Sequence, residues 1–270
     1  MQLNQFFQKL KIRHARLISR MSRNSLIELI RAGLKVSDHN SVLGALWSLL
    51  GPAAMLIILY LIFHGRFGQR VEVYPLYLLI GIICVNFIIT ATTYLIRVFS
   101  NNREFFLNTM VPKENLFLSE LFIHAYKFFV ELVVCAVICT VCAGMPWFAW
   151  LWMILLFAAY CVFVLGVSIL LALLYTFARD AEHIWMIVSR FLYFITPVFY
   201  SVESLSNEAR ILVVGVNPLT TFLTAFRSIF LGQGTLQTGA VVYSLLIGTV
   251  SFMFVYLIFF CFEDMVMEHA

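Results

Sequence analysis

Charge is what this chain has least of. Only 12% of its residues are Asp, Glu, Lys or Arg, against 62% hydrophobic ones, and the mean hydropathy is +0.95. A soluble domain carries about a quarter charged residues, so the composition excludes a soluble globular protein. Catalytic motifs are missing too. There is no G-x-x-x-x-G-K-[ST] loop, no H-E-x-x-H and no nucleophile elbow, which excludes a P-loop nucleotide site, a zincin centre and an α/β-hydrolase serine in this chain. The six cysteines (Cys84, Cys135, Cys139, Cys142, Cys161 and Cys261) lie in or beside apolar runs, where a thiol behaves as a small hydrophobe. No disulfide framework follows. Cys135, Cys139 and Cys142 have the spacing of some iron–sulfur sites, but they fall mid-helix among apolar residues rather than in a polar loop, so no metal is expected. The basic N-terminal segment is not followed by a short apolar core and a cleavage site, so no cleavable signal peptide is expected.

What fills the chain instead is a series of apolar runs of about 20 residues, the length that crosses a hydrocarbon core. They predict an all-α polytopic membrane protein with six transmembrane helices, over about 42–63, 76–96, 118–143, 148–175, 184–200 and 240–262. Residues 1–41 form an N-terminal interface segment, 42–262 the transmembrane domain and 263–270 a short tail. With the N-terminus inside, the inner segments hold twelve Lys and Arg and the outer ones only Arg66, Arg70, Arg210 and Arg227. The positive-inside rule therefore places both termini in the cytoplasm. Trp47, Trp147, Trp150, Trp152 and Trp185 then fall near the two interfaces as an aromatic belt.

Eight of the 18 basic residues precede Val36, a clustering that suits anionic headgroups better than nucleic acid. Ser25 and Glu28 read as a capping box, and Leu26, Ile27, Leu29, Ile30 and Leu34 recur at helical spacing among Arg23, Arg31 and Lys35. An amphipathic helix in the inner leaflet surface is expected. Between the fifth and sixth spans, residues 205–233 are too apolar for a loop and too short in each half for a span, with Asn217-Pro218 between the halves. A re-entrant outer hairpin is the reading that satisfies its backbone.

Three sets of residues stand out. Between the second and third runs, Asn101–Phe117 forms a polar island containing Arg103, Glu104, Phe105, Phe106, Pro112, Lys113 and Glu114. On the third span, Glu120, His124, Lys127 and Glu131 share one helical face. Charges at that depth must face protein or water, and intramembrane Arg190 is expected to pair with Glu131 or Glu120. Aromatic side chains that can stack on sugar rings, Tyr60, Phe87, Tyr193, Phe194 and Tyr200, are expected along a path. A membrane glycosyl- or acyltransferase needs converging carboxylates or histidines, and a channel needs a ring of like charges. Neither is visible.

Five motifs in order carry a resemblance. Asn40–Pro52, NSVLGALWSLLGP, looks like the opening of the first span in type 2 ABC-exporter permeases. MVPKENLF (Met110–Phe117) resembles the family's F-P-R-E-x-x-P, with Val111, Lys113 and Phe117 departing from it. Arg179-Asp180 resembles the R-D after the fourth span, and FITPVFY (Phe194–Tyr200) the S-P-V-x-Y after the fifth, with Thr196 for Ser. Asn217-Pro218-Leu219 followed by Arg227 resembles the N-P-L segment with its aromatic-Arg pair.

The resemblance is greatest to permeases that export lipid-linked polysaccharides of the O-antigen, teichoic acid or capsule type across a bacterial inner membrane. It implies a homodimeric pore and two copies of a separate ATPase that binds ATP and magnesium, this chain being no enzyme and holding no cofactor. The expected contacts to that ATPase are Arg103, Glu104, Phe105, Phe106, Pro112, Lys113 and Glu114, with Arg179 and Asp180. Pro197, Tyr200, Asn217, Pro218 and Arg227 are expected at the exit gate. A permease for a drug or a simple lipid is the alternative within the family.

Overall fold

The computed structural model describes residues 23–38, 46–67, 73–102, 113–232 and 238–269, and all secondary structure among them is helical. The helices are α1 (Arg23–Asp38), α2 (Leu46–Phe67), α3 (Tyr74–Leu95), the single turn α4 (Val98–Asn101), α5 (Lys113–Cys142), α6 (Ala149–Phe177), α7 (Asp180–Ile195), α8 (Asn207–Val216), α9 (Pro218–Leu231) and α10 (Thr238–His269). A short 3-10 turn, Val202–Ser204, follows α7.

Four of these helices contain stretches long and apolar enough to cross a bilayer: Trp47–Gly65, Tyr74–Leu95, Asn115–Cys142 and Ala149–Phe177. The bent pair α8 and α9, turning by 95° at Asn217, adds a fifth if it counts as one span. The expected fifth span is the 16-residue α7, shorter than the 184–200 run because the helix ends at Ile195 ahead of Pro197. Within α10 the apolar helix described as such is Gly239–Val255.

Helix ends follow their sequences. Pro75 occupies the first turn of α3, where its missing N–H costs nothing. Val73, just before it, has φ 55, a left-handed conformation unusual for a β-branched residue. Asp180 and Glu182 stand in the first turn of α7, complementing the helix dipole. The side chain of Asn217 caps α9 by accepting from the Leu219 amide at 3.1 Å, with Pro218 next in the first turn.

The α1 boundary corrects the expected capping box. The helix begins at Arg23, so Ser25 lies inside it, and its hydroxyl accepts from the Asn115 amide of α5 at 2.8 Å. Asn115 and Ile123 meet Ser25 and Gly33, eight residues apart on each helix. Hence α1 runs alongside the first turns of α5.

Helix α3 is the axis of the bundle. It is apolar all round, and 72% of its span is buried, as expected of a helix packed on every side. It touches α2, α5, α6, α7 and α9. In lipid there is little hydrophobic force between helices, so close packing and internal hydrogen bonds must hold them. At the centre, Phe87 stacks on Phe128 at 4.4 Å and Tyr160 meets Phe87 edge-on at 5.6 Å. The Tyr160 hydroxyl donates to the Cys84 carbonyl at 2.8 Å. Small residues bring backbones together: a Cβ on Gly248 of α10 would lie 2.8 Å from the Ala159 carbonyl oxygen of α6.

Candidate functional site

Three segments far apart in sequence converge where α3 begins. The first turns of α3 supply Tyr74 and Tyr77, the turn after α7 supplies Thr196 to Tyr200, and α9 supplies Asn217 and Arg227. Arg227 is buried, and its guanidinium donates to the carbonyls of Pro197 at 2.6 Å, Val198 at 2.7 Å and Tyr77 at 3.1 Å. It also lies 3.3 Å from the centroid of the Tyr77 ring, a cation–π contact in a dry setting. Among the described residues no acid forms an ion pair with it, and the cation is held by backbone dipoles and an aromatic face.

Two tyrosine hydroxyls tie the same turn down: Tyr74 donates to the Phe199 carbonyl and Tyr77 to that of Tyr200, each at 2.9 Å. Asn217 donates from its amide to the Thr196 hydroxyl at 2.9 Å while capping α9. Thr196 stands where the resembled motif has Ser, and its hydroxyl makes this bond. Gly81 opens the space for the cluster, because a Cβ there would sit 3.0 Å from both the Arg227 Nη2 and the Val198 Cγ1.

Further along, α7 is tied three more times to α3 and the residues just after it. The Tyr193 hydroxyl donates to the Asn86 side-chain oxygen at mid-length. At the other end the Trp185 indole donates to the Thr92 hydroxyl at 3.0 Å, and Arg97 Nε donates to Glu182 at 2.6 Å within a two-pronged ion pair. Arg179 and Asp180, beside that ion pair, are exposed. Trp185 is therefore a helix-to-helix tie rather than only an interfacial anchor.

Pro197, Tyr200, Asn217, Pro218 and Arg227 are thus brought together. Tyr60 lies nearby, its ring 4.5 Å from that of His64 and 6.4 Å from that of Tyr74. Phe194 is exposed. Phe87 is corrected: it is 3% exposed and stacked in the central core, so it lines no path within this chain. The expected pairing of Arg190 with Glu131 or Glu120 does not form. Arg190 is exposed, and the ion pair among the described residues is that of Arg97 and Glu182. On α5, the His124 ring lies tilted against that of Tyr94, with centroids 4.7 Å apart, and Glu131 is buried one turn beyond Lys127. Arg103, Glu104, Phe105, Phe106 and Pro112 lie outside the described residues, as do the side chains of Lys113 and Glu114.

The residues missed from sequence are Tyr74, Tyr77, Gly81, Asn86, Thr92 and Glu182. A Tyr-x-x-Tyr at the start of an apolar run, and one Asn and three Thr residues within it, were the available signals.

The family described as ABC-2 type transporter matches residues 25–231. The chain belongs to that family. This ABC-2 transporter is 26% identical over 213 residues to the O-antigen export system permease protein RfbA of Klebsiella pneumoniae, covering 78% of this chain and 82% of that one. It is likewise 26% identical over 214 residues to a protein of the same name from Myxococcus xanthus, covering 77% and 80%. The family, together with the apolar helices, makes this a multi-pass membrane protein. The matched segment runs from α1 through α9 and takes in the whole Arg227 cluster.

Proposed function

We propose that this chain is the permease subunit of an ATP-driven exporter that moves a lipid-linked polysaccharide across the bacterial inner membrane. The observation that carries the reading is the similarity, over about four fifths of their lengths, to permeases named for O-antigen export. In this reading α2, α3, α5, α6, α7 and α10 are six spans, both termini face the cytoplasm, and α8 with α9 is a re-entrant hairpin on the outer side. Two copies form the pore, and two copies of a separate ATPase carry ATP and magnesium, in keeping with the lack of a P-loop in the sequence.

The mechanism follows from the ties on α3. Closure of the ATPase dimer pushes the island around Arg103 to Met110 and the Arg179-Asp180 turn. The Arg97–Glu182 pair carries that displacement into α3 and α7 together. At the far end the same two helices hold the Thr196–Tyr200 turn and, through Arg227, α9. A rigid-body shift of packed helices therefore moves the outer hairpin without any element bending. Tyr60, Tyr193, Phe194 and Tyr200 supply aromatic surface to the passing sugar, and Glu120, His124, Lys127 and Glu131 a polar face on α5.

Depletion of the protein in its host tests the reading. Lipid-linked polymer is expected to accumulate on the cytoplasmic side while surface polymer falls. Unchanged surface polymer overturns the proposal.

A further inference from the structure

Helix α3 is buried along most of its length, and what it leaves open is polar. Between Leu76 and Leu95 its exposed residues are Thr90, Thr93 and Tyr94, with Asn86 half-buried one turn before them. Surfaces suited to hydrocarbon look different in the same molecule. The open face of α2 holds Ile57, Ile58, Leu61 and Ile62, and that of α10 holds Val250, Met253 and Phe254.

Two neighbouring helices extend this strip. The Tyr94 ring meets that of His124 with centroids 4.7 Å apart, which sets the Glu120, His124, Lys127 and Glu131 face of α5 alongside it. From α7, the Tyr193 hydroxyl donates to the Asn86 side chain, and Tyr193 interacts electrostatically with Glu131. Ionisable groups on a spanning helix must face protein, water or a polar ligand. Toward the start of α3 the strip stops at Asn86, because Leu76 to Val85 leave nothing exposed. From Tyr94 to Asn86 is about 12 Å along the helix, less than half of a hydrocarbon core.

The chemistry of the strip selects its occupant. The Thr93 and Tyr94 hydroxyls and the Glu131 carboxylate make no hydrogen bond or ion pair among the described residues, so donors and acceptors stand ready for a ligand. The Tyr94 ring is 65% exposed, a flat face of the kind that stacks on a sugar ring. Charge favours neither sign, since Glu120 and Glu131 stand against Lys127 and against Arg190, which is exposed one turn before Tyr193. The next charges along α3 and α7, Arg97 and Glu182, neutralise each other. Hydroxyls, an amide, a carboxylate and an aromatic face without net charge fit a neutral polyhydroxylated chain, and neither an ion nor an acyl chain.

We propose that this strip holds sugar units of the exported chain within one protomer, stacked on Tyr94 and hydrogen-bonded to Thr93 and Glu131, before the outer hairpin opens. The inference rests on the exporter reading for its substrate and its orientation, with Tyr94 toward the cytoplasm and Asn86 at mid-membrane. Because the strip ends at Asn86, it is a loading site and not a complete path.

Two measurements on the full chain test it. In inside-out vesicles, and in a background without the native cysteines, T90C and T93C are expected to react with a charged, membrane-impermeant methanethiosulfonate about tenfold or more faster than V250C, because a thiol facing hydrocarbon is held as the unreactive acid. Equal rates overturn the strip, whatever the protein exports. In cells making their surface polymer, photoreactive benzoylphenylalanine in place of Tyr94 is expected to capture glycan, read as a glycan-stained upward shift of the protein's band, while the same group in place of Val250 captures none. Capture of a second copy of the chain, or of nothing, overturns the proposal. Glycan captured from the position of Phe194 but not from that of Tyr94 overturns the loading site and leaves the exporter reading standing. Surface polymer that persists in depleted cells removes that reading itself.

Discussion

At the residue scale, Arg227 decides most. A guanidinium buried among backbone carbonyls replaces, with its planar fork, the hydrogen bonds that water would have given it. Replacing it by Met leaves the carbonyls of Pro197, Val198 and Tyr77 without their donor, a loss of about 3 kcal/mol. R227K keeps the charge but not the fork, and its loss is expected to lie between wild type and R227M. Thermal unfolding of the purified protein in detergent checks this order, with R227M melting roughly 5 °C below wild type. An unchanged midpoint for R227M would show the cluster to be incidental.

Gly81 is the complementary case. A methyl group there presses on the Arg227 Nη2 and on Val198, whose backbone Cα is only 3.3 Å away, so G81A is expected to destabilise by about 1–2 kcal/mol. Because both substitutions disturb the same contact, G81A and R227K are expected to combine less than additively. Additive effects would mean that the glycine serves something other than the arginine.

At the element scale the informative pair is α3 and α7. Much of α7 is exposed: Ile184, Ile187, Phe191 and Phe194 are all 56% exposed or more. Its attachment to α3 is therefore polar to an unusual degree, through Arg97 and Glu182, Thr92 and Trp185, and Asn86 and Tyr193. Polar bonds between membrane helices are individually modest, about 0.6 kcal/mol on average, but ties spread along a helix prevent rotation as well as separation. The two helices are thus expected to move as one body. T92C and W185C, which replace another tie between the two helices, joined by a short bifunctional thiol reagent in a background lacking the native cysteines, should leave transport intact. Loss of transport on crosslinking, with normal assembly, would show that α3 and α7 part during the cycle.

At the scale of the whole molecule, the exporter reading requires a grip for a separate motor. The polar island between α4 and α5 is the surface the sequence provides. Charge reversal there, R103E with E104K, is expected to reduce co-purification of the ATPase at least several-fold without lowering the amount of permease in the membrane. Undiminished co-purification and transport would place the grip elsewhere, with Arg179 and Asp180 the next residues to reverse.

Membrane insertion and the all-helical fold were legible in the sequence, because a backbone in hydrocarbon must satisfy its own hydrogen bonds and apolar length reports that directly. The motifs around Pro197, Asn217 and Arg227 were legible too, as separate stations along the chain. What only the tertiary structure decided is that these stations meet around one guanidinium and that Tyr74, Tyr77 and Gly81 complete the meeting. It also moved Phe87 into the core and left Arg190 without its expected acid. Helical periodicity places residues on a face, but the face a partner presents depends on rotation and register set by packing. Ion pairs and buried aromatics depend on that rotation, so the sequence alone carried no information about them.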